Sequence, residues 1–213
     1  MKVYCYYDFP EYSDYPMLVM DRWSASWRAN GFFPQILSEL TAWQHPDFGM
    51  TCKIVEALPT VNQRRFERAC FLRWLAYDLV APALFTDFDV INFNLKPNKV
   101  PPSRWLSLES PPSPGLIHAT KEGTSAFLAD FGNAMDHVID WKGQPTVSDL
   151  YIFDGTYRGR KYDYSVLYGD DRMLTSHCVH FANGRCPEGW KFANRYLAID
   201  DLYQKRKLER PTL

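Results

Sequence analysis

The run Ala83-Leu84-Phe85-Thr86-Asp87-Phe88-Asp89-Val90-Ile91 constrains this chain more than any other. Leu84, Phe85, Phe88, Val90 and Ile91 are β-formers and mostly apolar, so the run reads as a buried strand that meets two aspartates and then resumes. Asp87 and Asp89 stand two residues apart, which on a regular strand turns both to one face. Two carboxylates that close repel each other, and burying them without a partner is expensive. A divalent cation removes both problems. Hard ions such as Mg²⁺ and Mn²⁺ take carboxylate oxygens and commonly keep positions for substrate phosphates. The plainer alternative is a polar strand end or turn.

What feeds this strand is the clearest helix of the chain, from Asn62 to Val80. Phe66, Ala69, Cys70, Arg73 or Trp74, and Tyr77 recur at steps of three and four, which gives one apolar side. Thr60 or Asn62 caps its start and Pro82 marks its end. Arg65, Arg68 and Arg73 are spaced so that neighbouring pairs partly share a face, either as solvated arginines or as an anion clamp.

Around this unit the chain alternates strand and helix signals. Lys2 to Tyr7 suits an opening strand, stopped by Asp8-Phe9-Pro10. Met17 to Met20 reads as a strand or a helix start. Ser24 or Ser26 then caps a short helix that Gly31 ends, and Pro34 opens the next. Cys52 to Val55 is a short strand candidate. Six prolines between Leu95 and Gly115 (Pro97, Pro101, Pro102, Pro111, Pro112 and Pro114) forbid a long helix there. Leu116 to Thr120 reads as a strand, followed by a helix capped at Thr124 or Ser125, and Ser148 or Asp149 caps another. Tyr164 to Tyr168 and the segment leading to His180 read as strands, and the stretch from Asp200 as a terminal helix. His45, ahead of Pro46, carries no assigned role. The pattern predicts one α/β/α domain over residues 1–213 with a mostly parallel central sheet and a site at the strand C-termini. The proline-rich loop divides it into halves, 1–94 and 95–213.

Composition narrows the function classes. With 46% hydrophobic and 23% charged residues in 213, the chain carries enough apolar matter for one good core. A net charge of −1 argues against a generally basic surface that coats nucleic acid. The aromatic share is high, 16%, and supplies both core and any sugar- or base-binding cleft. No run approaches the roughly 20 apolar residues of a membrane span. The N-terminus reads as a strand rather than a secretory signal, so the expectation is a soluble, cytoplasmic protein. Five scattered cysteines (Cys5, Cys52, Cys70, Cys178 and Cys186) read as reduced thiols. The spacings of His177, Cys178, His180 and Cys186 match no structural zinc signature.

Thr86-Asp87-Phe88-Asp89 resembles the D-x-D motif of GT-A-type glycosyltransferases, in which the motif ends a central strand and holds a metal on a nucleotide-sugar diphosphate. Other segments share the resemblance. Ser26-Trp27, Pro34, Ile36-Leu37, Ala42 and His45-Pro46 are similar to the early region of several small glycosyltransferase families. An arginine-bearing helix leading into D-x-D resembles the donor-holding arrangement of those enzymes, although Ala81-Pro82-Ala83 stands where a Gly-Gly pair usually occurs. His180, Gly184, Trp190 and Lys191 resemble a C-terminal segment that completes the metal site and folds over the diphosphate.

The resemblance implies roles. Asp87, Asp89 and His180 would hold Mn²⁺ or Mg²⁺. Tyr7, Asp8, Arg73, Thr86, Asp87, Gly184 and Lys191 would contact the donor nucleotide, with Tyr7 and Asp8 at the base or ribose. Asp149 would take the acceptor proton, with Asp154, Asp163, Asp170 and Asp171 as competitors. UDP is the default donor nucleotide by family habit. The acceptor stays open: a glycan, a small molecule, a protein, or a modified nucleic-acid base if the source is viral. Two rival classes stand beside this reading: another metal-dependent phosphotransfer enzyme or hydrolase on Asp87 and Asp89, and a non-catalytic interaction or viral structural protein.

Overall fold

A computed structural model describes residues 1–8, 14–100, 106–107, 109–110, 114–157, 166–167, 177–181 and 195–212. The chain is mixed α/β. Its strands are β1 (Lys2–Tyr6), β2 (Phe33–Leu37), β3 (Ala83–Thr86), β4 (Val90–Asn92), β5 (Leu106–Ser107), β6 (Glu109–Ser110), β7 (Leu116–Ala119), β8 (Ile139–Trp141), β9 (Gln144–Thr146), β10 (Val166–Leu167) and β11 (Cys178–His180). Its α-helices are α1 (Asp14–Ala29), α2 (Glu39–Ala42), α3 (Phe48–Ala57), α4 (Arg64–Val80), α5 (Lys121–Asp130), α6 (Asp149–Tyr157) and α7 (Arg195–Lys205).

The main sheet has the order β2-β1-β3-β7-β5. β2, β1 and β3 run parallel, with Tyr4 beside both Gln35 and Phe85. β7 is antiparallel to β3 and β5 is antiparallel to β7, so only β7 runs against the rest. Alternate residues of these strands feed two cores. Val3, Cys5, Leu84 and Leu116 pack with Trp23 and Trp27 of α1, whereas Tyr4, Tyr6, Phe85 and Ile117 pack with Phe71, Trp74 and Tyr77 of α4. The period of two along each strand therefore places α1 and α4 on opposite faces. A smaller sheet, β4-β11-β10-β6, carries the chain on from the aspartates: β4 and β11 pair antiparallel, with His180 beside Val90.

Several local expectations are corrected. Pro34 lies in β2, not in a helix. The amide of Phe33 donates to Met1 O, and Leu37 O accepts from Tyr7 N, so the odd residues bond to β1 and the missing N–H of Pro34 falls on the sheet's outer edge. The Gln35 amide covers the Pro34 carbonyl at 2.9 Å. Of the two readings left open for Met17 to Met20, the helix holds: they belong to α1. Ser26 is no cap: mid-helix, its hydroxyl donates to Trp23 O and accepts from Asn92 N, pinning α1 to β4. Gly31, at φ +88°, does end this helix. Cys52 to Val55 lie in α3, where Thr51 and Val55, four apart, form the buried pair. Thr120 rather than Thr124 caps α5, accepting from Gly123 N at 3.1 Å. His45 is buried, accepts the Asp47 amide on Nδ1 and so donates from Nε2 to Asp78. Among the described residues, Cys5, Cys52, Cys70 and Cys178 are free thiols, and no helix is long and apolar enough to cross a membrane.

Candidate functional site

β1 is flanked by β2 on one side and β3 on the other, so the chain reverses its direction of travel across the sheet at β1. A crevice at the C-terminal ends of strands, beside such a switch point, is where open α/β sheets bind ligands. Here that crevice receives Tyr7 and Asp8 after β1, Ser38 and Glu39 after β2, and Asp87 to Asp89 after β3.

The regular strand expected through Asp89 instead stops at Thr86. A turn follows, closed by Val90 N on Asp87 O at 3.1 Å and anchored by Asp87 N on Gly115 O and Phe181 N on Asp89 O. The turn, not strand alternation, brings the two carboxylates together. Thr86 is fully buried and its hydroxyl donates to the Asp87 carbonyl at 2.8 Å, so it shapes the turn. β11 places His180 across the turn, its Nε2 3.2 Å from Asp89 Oδ1 and 3.7 Å from Asp87 Oδ2. Ligand atoms of Asp87, Asp89 and His180 all lie within 4.8 Å of one another. Two carboxylate oxygens and an imidazole nitrogen form a donor set suited to Mn²⁺, and less to Mg²⁺.

The outer oxygens of the same carboxylates face arginines. Arg73 Nη1 of α4 lies 2.8 Å from Asp87 Oδ1, and Arg195 Nη1 of α7 lies 2.5 Å from Asp89 Oδ2. Burial by itself pushes the Asp89 carboxyl up, but His180 and Arg195 outweigh it and hold it down at about 2. Burial also opposes the charge on Arg73, and Asp149 and Asp87 overcome it, raising its pKa. Beneath the turn, burial, reinforced by Asp87 and Asp89, pushes the Cys5 thiol up. Three aspartates, Asp87, Asp89 and Asp149, thus meet two arginines; a divalent ion would turn the cluster's charge positive, which favours an anionic ligand.

Asp149, the first residue of α6, is buried behind Arg73. Its Oδ2 accepts Arg73 Nε and Trp74 Nε1, each at 2.9 Å, and also Arg73 Nη2. A carboxylate oxygen holding three N–H donors is committed to orienting Arg73. In this structure Asp149, expected as the proton acceptor, braces Arg73 from behind through Oδ2.

Tyr7 and Asp8 stand beside the turn. The Tyr7 ring meets Phe88, between the two aspartates, edge-on at 5.6 Å. Burial and a hydrogen bond with Glu39 push the Asp8 carboxyl up, while Arg68, 2.6 Å from Glu39, holds the Glu39 carboxyl down. Asp8, Ser38, Glu39, Leu40, Trp43 and Phe48 line an open cleft of about 520 Å³. Gly184 and Lys191 lie outside the described residues, as do Asp163, Asp170, Asp171, Cys186 and Trp190. The sequence reading missed Arg195; its only signal was a basic residue just ahead of the apolar positions Ala198, Ile199 and Leu202. No protein-family model and no curated protein matches the chain.

Proposed function

We propose that this chain is a metal-dependent glycosyltransferase of GT-A type, moving a sugar from a nucleotide-diphosphate sugar to an acceptor hydroxyl. One observation carries the reading: Asp87 and Asp89 each turn one oxygen toward His180 Nε2 at the switch point of a sheet in which β2, β1 and β3 pair in parallel. When bound there, Mn²⁺ or Mg²⁺ supplies charge neutralisation for the departing diphosphate. Arg73, buried and braced by Asp149, presents a fixed cation beside Asp87. Fixed charge of this kind stabilises developing negative charge at no reorganisation cost. Tyr7, against Phe88 of the turn, and Asp8, which lines the cleft with Trp43, stand where the donor's base or ribose would lie. UDP remains the default donor nucleotide from the family resemblance, and the acceptor class is open.

Calorimetric titration of UDP, GDP and CDP, with and without Mn²⁺, tests the reading on wild type and Asp89→Ala. Binding of one nucleotide that depends on both Mn²⁺ and Asp89 is expected. Metal-dependent cleavage of a simple phosphoester with no nucleotide preference moves the assignment to a hydrolase. Absence of any nucleotide binding with metal present sinks the transferase reading.

A further inference from the structure

Among the described residues, Asp87 and Asp89 each turn one oxygen to His180 and the other to an arginine. Asp89 gives Oδ1 to His180 and Oδ2 to Arg195; Asp87 gives Oδ2 to His180 and Oδ1 to Arg73. Both arginines are themselves held. Arg195 is buried and opens α7, whose Ala198, Ile199, Leu202 and Tyr203 are packed into the core. Arg73 is buried and gripped from behind by Asp149. A carboxylate whose outer oxygen is tied to a fixed guanidinium turns its inner oxygen, here the one beside His180, toward a cation.

This matters for which cation fits. Mg²⁺ and Mn²⁺ accept one oxygen from each carboxylate in near-octahedral geometry. Ca²⁺ takes six to eight oxygens at longer distance and commonly uses both oxygens of a carboxylate. We propose that Arg195, with Arg73, is a specificity-determining residue that holds Asp89 and Asp87 as one-oxygen ligands and so excludes Ca²⁺. The inference rests on the metal reading given under Proposed function. It assigns to the arginines a role separate from donor binding: they set how each aspartate meets the ion.

The test is competition between Mn²⁺ and Ca²⁺ on the nucleotide-free protein, with bound Mn²⁺ followed by electron paramagnetic resonance. Removing Arg195 deletes a positive charge and strengthens binding of any divalent ion. The ratio of Ca²⁺ to Mn²⁺ affinity cancels that effect, because both ions carry the same charge. In Arg195→Met, Asp89 regains its second oxygen, and the preference for Mn²⁺ is expected to narrow by about tenfold or more, within the range that outer partners of metal ligands command. Arg195→Lys keeps the buried charge but loses the planar fork, and serves if Arg195→Met does not melt cooperatively; its expected narrowing is about threefold. A ratio that stays within about twofold of wild type, in whichever variants fold, overturns the proposal while leaving the metal site standing. Failure of wild type to bind Mn²⁺ at all overturns the metal reading itself and the inference with it.

Discussion

Arg73 joins two carboxylates that the chain supplies 62 positions apart: Nη1 lies 2.8 Å from Asp87 Oδ1, and Nε lies 2.9 Å from Asp149 Oδ2. α4 carries the guanidinium, the turn after β3 carries one partner, and the start of α6 carries the other. Removing one member of a buried ion pair strands the remaining charge. Asp149→Ala is expected to lower stability by about 3–5 kcal/mol in denaturant unfolding. It is also expected to weaken Mn²⁺ binding by about tenfold, since Asp87 loses its oriented partner. Asp149→Asn keeps an acceptor for Trp74 and is expected to cost less on both measures. Loss of stability with Mn²⁺ affinity untouched would show Asp149 to be structural only.

Asp89 sets an acid limit. Its folded carboxyl titrates at about 2, against about 4 for an aspartate in the unfolded chain. The folded state therefore gains stability, on the order of 2 kcal/mol, that is complete above pH ~4 and lost as pH falls toward 2. Chemical denaturation of the metal-free protein between pH 6 and 2 measures it. The slope between pH ~4 and 2 is expected to flatten in Asp89→Asn, and an unchanged slope would remove Asp89 as the source.

The sequence made much of this arrangement legible, and the rest depended on long-range pairing. The helix before Pro82 was readable because its apolar positions recur at steps of three and four, and the ends of α4 differ from that reading by two residues at most. The Asp87–Asp89 pair is readable from spacing alone, but spacing implies strand alternation, and a turn achieves the convergence. Pro34 misled because proline suits a helix start as well as a sheet edge, and only pairing with β1 decides between them. The arginine partners of Asp149 and Asp89 are not readable, because no local pattern links residue 149 to 73 or 195 to 89. Both links arise where helices dock against the sheet, and a single sequence carries no trace of that docking.

Glu67 works in the opposite sense to Asp89. It is buried on α4, Asn62 donates to its Oε1, and its Oε2 has no hydrogen-bond partner among the described residues. Burial, which Asn62 only partly offsets, pushes its carboxyl up. A folded value above the unfolded one contributes stability that is full at low pH and lost as pH rises through the folded value. Glu67→Gln keeps the shape and removes the charge. It is expected to be more stable than wild type at pH 8, with the advantage shrinking toward pH 4 in the same unfolding measurement. An advantage that does not change with pH would mean that Glu67 ionisation is not the cause.

A second buried carboxylate separates architecture from chemistry. Asp78 accepts from Thr124 and Ser125 at 2.7 and 2.8 Å, from His45 at 3.1 Å, and from Lys121. Burial pushes Asp78 up, but these four donors outweigh it and hold it below the usual range. The bonds tie α4 to α5 and to the segment after α2, away from the Asp87–Asp89 turn. Asp78→Ala leaves several buried donors unsatisfied at once and is expected to cost about 3–5 kcal/mol. Its Mn²⁺ affinity, read below the melting transition, is expected to stay within about twofold of wild type, in contrast to Asp149→Ala. Two acidic residues of similar burial would then differ in one measurable respect: Asp149 reaches the Asp87–Asp89–His180 cluster through Arg73, and Asp78 does not. Equal loss of Mn²⁺ binding in both variants would instead make metal affinity a reporter of general stability, and would withdraw the positioning role from Asp149.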